Sequence, residues 1–201
     1  MRGRFTRVTV GERVPDDVAE ARVLEASGAE VRVGSFWDRQ PCLLVVLRQF
    51  GCVGCAEQVR ELAPRLFELS RVGVRTVLVG SGSIEQCAAF AVRNALDGAP
   101  ALLVTDPSLG LHRALGLVRS AWATVGPRAL LETARAMAAG HPHRAAEGDR
   151  TQQGGALLVA RSGVVRLFHR SRSIGDHLPA SDLVHAALLL VLEEPGPAKI
   201  V

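Results

Sequence analysis

No segment of this 201-residue chain is apolar for long enough to cross a bilayer. The longest such runs, Cys42 to Leu47 and Ala186 to Leu192, fall far short of the ~20 residues a spanning helix needs. The opening MRGRFTRVTV carries positive charge but lacks the continuous apolar core of a secretory signal, so the sequence predicts a cytoplasmic protein. Charge of one sign is not gathered anywhere: the formal net charge of +4 is spread along the chain, which argues against a nucleic-acid surface built on a basic block. Lysine is almost missing, Lys199 being the single case, and the surplus of Arg, Ala, Gly and Val reflects a GC-rich coding genome more than a chemistry. Cysteine is scarce too. Four thiols in a reducing compartment make no disulfide framework, and a close pair there points to redox chemistry or metal binding instead. There is no internal repeat and no low-complexity segment. With 48% apolar residues, the length suits one substantial core, so a single domain over residues 1–201 is expected, its core running from about 21 to 192.

What is present is an alternation of buried runs and amphipathic segments. Ala21 to Ala26 and Glu30 to Trp37 read as two strands around a Ser27-Gly28 turn, an N-terminal hairpin. Leu43 to Leu47 is the continuous apolar run of a strand covered on both faces. Ala56 to Arg71 follows helical spacing, with Val59, Leu62, Leu66 and Leu69 on one stripe and Pro64 expected to kink it. Val74 to Val79 and Ala101 to Val104 read as strands, and Ile84 to Leu96 and Ser108 to Leu115 as helices. A further helix is expected from Trp122 to Ala139, then a polar loop carrying His141, His143 and Asp149. A hairpin of Ala156 to Ala160 and Val164 to Phe168 follows, and Ser181 to Glu194 is a last helix capped by Ser181. Parallel strands with crossover helices, then an antiparallel hairpin and a closing helix, describe an α/β protein with a central mixed sheet flanked by helices.

Between the first buried strand and its helix stands Cys52-Val53-Gly54-Cys55. A cysteine at the start of a helix meets unpaired backbone N–H groups and the positive end of the helix dipole, both of which stabilise its thiolate and lower its pKa below about 8.5. Two residues three apart on one helical turn have Cα atoms roughly 5 to 6 Å apart, within the range a disulfide closes. The spacing therefore suits a reversible dithiol switch in which Cys52 attacks and Cys55 resolves. A zinc site would need two further ligands, and neither Cys42, Cys87 nor the His141–His143 pair completes one. No metal or cofactor is expected. Cys42 and Cys87 read as core residues, and His112, His169, His177 and His185 as structural or solvated groups.

Several blocks together carry a family resemblance: LRQFGCVGCAEQVREL, VLVGSGS, TDPSLGLHRALGLVRS, EGDRTQQGGALLVARSGVVRLFHRS and GDHLP. In these the chain resembles the peroxiredoxin-like branch of the AhpC/TSA proteins in the thioredoxin-fold superfamily, especially the subgroup that includes prostamide/prostaglandin F synthase. The resemblance implies a thioredoxin-like fold and a reaction in which Cys52 attacks a peroxide, an endoperoxide or a disulfide, with thioredoxin or another thiol reductant restoring the pair. The family's Pro-x-x-x-Thr/Ser-x-x-Cys motif is not matched, since Gln49 and Val45 stand three and seven residues before Cys52. Arg48 and Arg119 are candidates to stabilise a thiolate or a leaving oxygen through charge-assisted hydrogen bonds. Gly154 and Gly155, where thioredoxin-type enzymes place a cis-proline, would let backbone come close to the thiols. Trp122, Leu130 and Met137 are candidates to wall an apolar pocket. The alternatives are a disulfide exchanger, a tailoring enzyme for a specialised metabolite, or a non-catalytic binding module on the same fold. An open sheet edge or apolar helix would allow a homodimer.

Overall fold

Three apolar runs without helical punctuation, CLLVV, RTVLVG and ALLVT, become the parallel centre of a mixed sheet in this computed structural model, which describes residues 7–117, 152–172 and 176–194. Arg119, the Trp122–Ala139 segment and the loop with His141, His143 and Asp149 lie outside the described residues. In chain order the elements are α1 (Asp16–Ala19), β1 (Arg22–Glu25), β2 (Glu30–Arg32), a 3-10 turn (Val33–Phe36), β3 (Cys42–Val46), α2 (Val53–Leu62), a 3-10 turn (Ala63–Arg65), α3 (Leu66–Arg71), β4 (Arg75–Gly80), α4 (Ile84–Arg93), β5 (Ala101–Thr105), α5 (Gly110–Ala114), β6 (Gly155–Val159), β7 (Val165–Arg170) and α6 (Ala180–Glu193).

The strands lie in the order β2-β1-β5-β4-β3-β6-β7. β3, β4 and β5 are parallel, while β6 runs antiparallel to β3, β7 to β6, and the β1–β2 hairpin joins antiparallel beside β5. Side chains alternate across a strand, so one sheet feeds two cores. Leu43, Val45 and Leu47 point into the layer containing Val59, Leu62, Leu66, Phe90, Leu183 and Leu190, from α2, α3, α4 and α6. Leu44 and Val46 point the other way, toward Val18, Val23, Phe36, Leu111 and Leu157, where α1 and α5 pack. The expected mixed sheet flanked by helices, with an N-terminal hairpin, is present.

Several boundaries differ for local reasons. The first strand pair is shorter than expected, because the chain leaves β2 at Arg32 and tightens into the 3-10 turn that buries Val33 and Phe36. The helix expected from Ala56 begins three residues earlier, at Val53. Pro64 does not merely bend it: Ala63–Arg65 is a 3-10 turn separating α2 from α3, since proline denies the backbone its helical donor. Ser181 does not cap the last helix. Pro179 occupies the capping position without a side-chain bond, and the Ser181 hydroxyl donates to Asp182 instead. The single turn α1 had no periodic signal and was not expected.

Candidate redox site

The thiol pair stands beyond the carboxyl ends of the parallel strands, where open α/β sheets leave room for ligands. β3 ends at Val46, the chain passes through Leu47 to Gly51, and Cys52 takes the N-cap of α2 in an extended conformation (φ −76°, ψ 124°). Its carbonyl accepts from the Ala56 N–H at 3.1 Å, the first bond of the helix. Phe50 fixes the approach: its ring lies against Gly80, whose hydrogen side chain makes the space, and stacks tilted on Phe90 with centroids 5.3 Å apart. Both sulfurs are thereby sunk to the edge of the core, Cys52 and Cys55 being 5% and 4% exposed.

Burial alone would keep both thiols protonated. The hydrogen bond from the Cys55 thiol acts most strongly in the other direction, and with the Arg48 charge and the Gly54 and Cys55 N–H groups it holds Cys52 down to about 6 from an ordinary 9.0. Cys55 moves oppositely. Burial, its hydrogen bond to Cys52 and the negative charge on Cys52 raise it well above the ordinary thiol value. The two shifts are opposite in direction, which makes Cys52 the more acidic thiol of the pair. The Cys55 sulfur is itself held by the Arg48 backbone N–H, which donates to it at 3.2 Å.

Arg48 is 5% exposed and tied at both ends, its Nε donating to the Gln152 carbonyl at 2.8 Å and its own carbonyl accepting from Ser81 Oγ at 2.7 Å. Gln152 in turn donates from Nε2 to the Leu117 carbonyl at 2.8 Å, linking this cluster to the chain after α5. The sulfurs open onto a shallow cleft bordered by Arg48, Gln58, Gly154, Ser171, Asp176 and His177. Gly154 is there because nothing larger fits: a Cβ on it would sit 2.5 Å from the Val46 carbonyl oxygen, a backbone atom that cannot swing aside. Gly154→Ala is therefore expected to lower stability by about 1–3 kcal/mol, as overpacking does, read as a lower urea midpoint, and to push β6 from β3 beside the thiols.

Of the residues singled out in the sequence, Cys52, Cys55, Arg48 and Gly154 converge on one cleft. Gly155 faces away, toward the His169 carbonyl of β7. Cys42 and Cys87 are buried in the two cores, as expected. Sequence reasoning did not single out Ser81, Asp106, Gln152 or Asp176 and read His177 as ordinary, although GDHLP, which places Asp176 and His177 at the cleft, was among the recognisable blocks. Among the described residues no group of three or more His, Cys, Asp or Glu is placed to hold a metal ion, and no helix is long and apolar enough to cross a membrane.

Residues 61–173 match the family described as AhpC/TSA antioxidant enzyme. The chain belongs to that family. It is 31% identical over 181 residues to prostamide/prostaglandin F synthase of Bos taurus, covering 87% of this chain and 86% of that one. Peroxiredoxin-like 2C of Homo sapiens is 28% identical over 187 residues, with 87% and 80% covered, and the thioredoxin-like protein AAED1 of Arabidopsis thaliana, a chloroplastic protein, is 26% identical over 194 residues, with 92% and 77% covered. Among solved structures, the peroxidoxin BcpB of Mycobacterium tuberculosis superposes with a TM-score of 0.65 at 12% identity, over 94% of this chain and 100% of that one. The fold is thus the thioredoxin fold of the peroxiredoxins, and the chain is a peroxiredoxin-like thiol oxidoreductase at that level. The family match begins after the thiol pair, so the roles of Cys52 and Cys55 rest on their own geometry.

Proposed function

We propose that the protein reduces a peroxide or endoperoxide with Cys52 as nucleophile and Cys55 as resolving thiol. The observation that carries this reading is a pair of adjacent sulfurs at the mouth of a cleft, Cys52 at the N-cap of α2 and Cys55 within its first turn, with the Arg48 N–H donating to Cys55 Sγ. With a hydroperoxide the Cys52 thiolate attacks the terminal oxygen, the O–O bond breaks, and the alkoxide leaves with a proton as alcohol. Cys52 is then a sulfenic acid. Cys55 attacks that sulfur, its own proton departs with the hydroxyl as water, and a Cys52–Cys55 disulfide remains. Thioredoxin or another thiol reductant returns two electrons and two protons. Arg48, fixed beside both sulfurs, offers its charge to the thiolate and to the departing oxygen. Residues 1–201 act in this reading as one cytoplasmic thioredoxin-like domain without a cofactor.

A second reading is favoured by one observation: Gln49 and Val45 bring no hydroxyl where peroxiredoxins orient their peroxide, and disulfide exchange needs less machinery. One equivalent of hydroperoxide separates the two. Peroxide reduction predicts the loss of two of the four thiols, a mass lower by two hydrogens, and a peptide linking Cys52 to Cys55. A thiol count unchanged by peroxide but lowered by a small disulfide would replace the peroxidase by an exchanger.

A further inference from the structure

On the opposite side of the sheet from the thiols, Asp106 and His112 form a pair whose side chains are wholly buried. The Asp106 carboxylate is gripped by the Gly110 N–H at 2.9 Å, the His112 N–H at 3.2 Å and Ser108 Oγ at 3.1 Å, and His112 Nδ1 lies 2.8 Å from its Oδ2. Burial opposes ionisation, but the hydrogen bonds and charge of His112 hold the carboxyl below the usual carboxylate range. The other ring nitrogen, Nε2, lies 3.0 Å from the Leu47 carbonyl oxygen. Both neighbours are acceptors, and neither has a hydrogen to give. A hydrogen on Nε2 therefore has the Leu47 carbonyl to donate to.

The Leu47 carbonyl and the Arg48 N–H belong to the same peptide unit, and that N–H is the one donating to Cys55 Sγ. We propose that Asp106 and His112 are positioning residues for the thiol pair: His112 polarises the Leu47–Arg48 peptide, which polarises the Cys55 thiol, which stabilises negative charge on Cys52. Every hydrogen bond in this chain points the same way, from the His112 ring toward the thiolate. Aligned hydrogen bonds strengthen one another, by about 10–30% each. The same contact pins the carbonyl at the end of β3, so it also sets the height at which the pair stands. This inference rests on Cys52 being the attacking thiolate. The other charged groups around the relay are Arg48 beside the sulfurs, Arg93 of α4 donating to the Phe50 carbonyl, Glu57 buried in α2, and Asp176 and His177 across the cleft. They are common to every variant below.

The test follows Cys52 alone, by its alkylation rate against pH, in the wild type, His112→Phe and His112→Gln, with circular dichroism confirming each fold. Removing the His112 ring donor is expected to raise the Cys52 midpoint by about one pH unit, hence an alkylation about three- to fourfold slower below it once the greater nucleophilicity of the more basic thiolate is counted. Gln, a neutral donor, is expected to recover part of that shift. Nitrogen-15 spectra of the wild type need no variant: His112 Nε2 should carry the hydrogen it donates to the Leu47 carbonyl, and its signal should move when the disulfide forms. Folded variants with an unchanged Cys52 midpoint, or a His112 whose Nε2 carries no hydrogen, overturn the relay while leaving the thiol reading intact. A wild-type Cys52 that ionises like an ordinary thiol overturns both.

Discussion

Cys52→Ser is expected to abolish peroxide consumption, with turnover falling by at least about three orders of magnitude, because a serine hydroxyl is not ionised at neutral pH and its oxygen is a far weaker nucleophile than a thiolate. Cys55→Ser is expected to fail differently. Its Cys52 can still attack once, but the sulfenic acid then has no neighbour to condense with and advances to sulfinic acid under excess oxidant. The two variants thus leave distinct masses: an unmodified chain in the first, a chain heavier by oxygen in the second. The distinction matters because Cys52 and Cys55 are almost equally buried, and exposure alone would not say which is attacked first. The order proposed follows the opposite shifts of the two thiols, Cys52 lowered and Cys55 raised. A Cys52→Ser protein that still consumed peroxide with Cys55→Ser inert would reverse the roles. Retained turnover in both would remove the thiols from the chemistry.

The parts of this site that were legible in the sequence are those carried by local pattern. A buried run followed by Gly-Cys-x-x-Cys and an amphipathic stripe is continuous along the chain, so the strand, the N-cap thiol and the helix could be placed together from residues 43 to 71. Arg48 was legible for the same reason, since it lies between the strand and the pair. The rest depends on contacts that no local pattern announces. Gln152 meets Arg48 across 104 positions, and His112 meets the Leu47 carbonyl across 65. A histidine in a short helix is compatible with solvent or core, and only the two acceptors facing its ring decide between them. The α2 start was missed by three residues because Val53 and Gly54 are poor helix formers, and the cap at Cys52 outweighs their propensity. Ser181 illustrates the reverse: a favourable capping residue was present, but the preceding Leu178-Pro179 pair fixed the entry of the helix before it.

In the reduced protein iodoacetamide is expected to label one thiol per chain near neutral pH, with a rate that rises through a midpoint of about 6. Cys87, held up at about 11 by burial, and Cys42, raised further by the same cause, should stay unlabelled until the chain unfolds. The size of the effect depends on two opposing trends. At pH 7 a thiol with its midpoint near 6 is about ninety per cent ionised and one near 9 about one per cent, a ~90-fold gain in thiolate; yet nucleophilicity falls with basicity at a slope of about 0.4–0.5, returning ~20-fold of it. The net advantage at pH 7 is therefore only severalfold. At pH 6 the ordinary thiol has lost another factor of ten while Cys52 is still half ionised, so the contrast widens to ~25-fold by the same relation. The comparison belongs at pH 6 for that reason. Stability should follow the same proton: a thiol whose folded value is depressed contributes stability that is full above the unfolded value near 9.0 and fades as pH falls, until it is gone below about 6. The wild type should thus lose its advantage over Cys52→Ser in urea midpoint between pH 9 and pH 6. An alkylation midpoint near 9, or a stability difference that does not change across that window, would leave Cys52 an ordinary buried thiol and the cleft without a nucleophile.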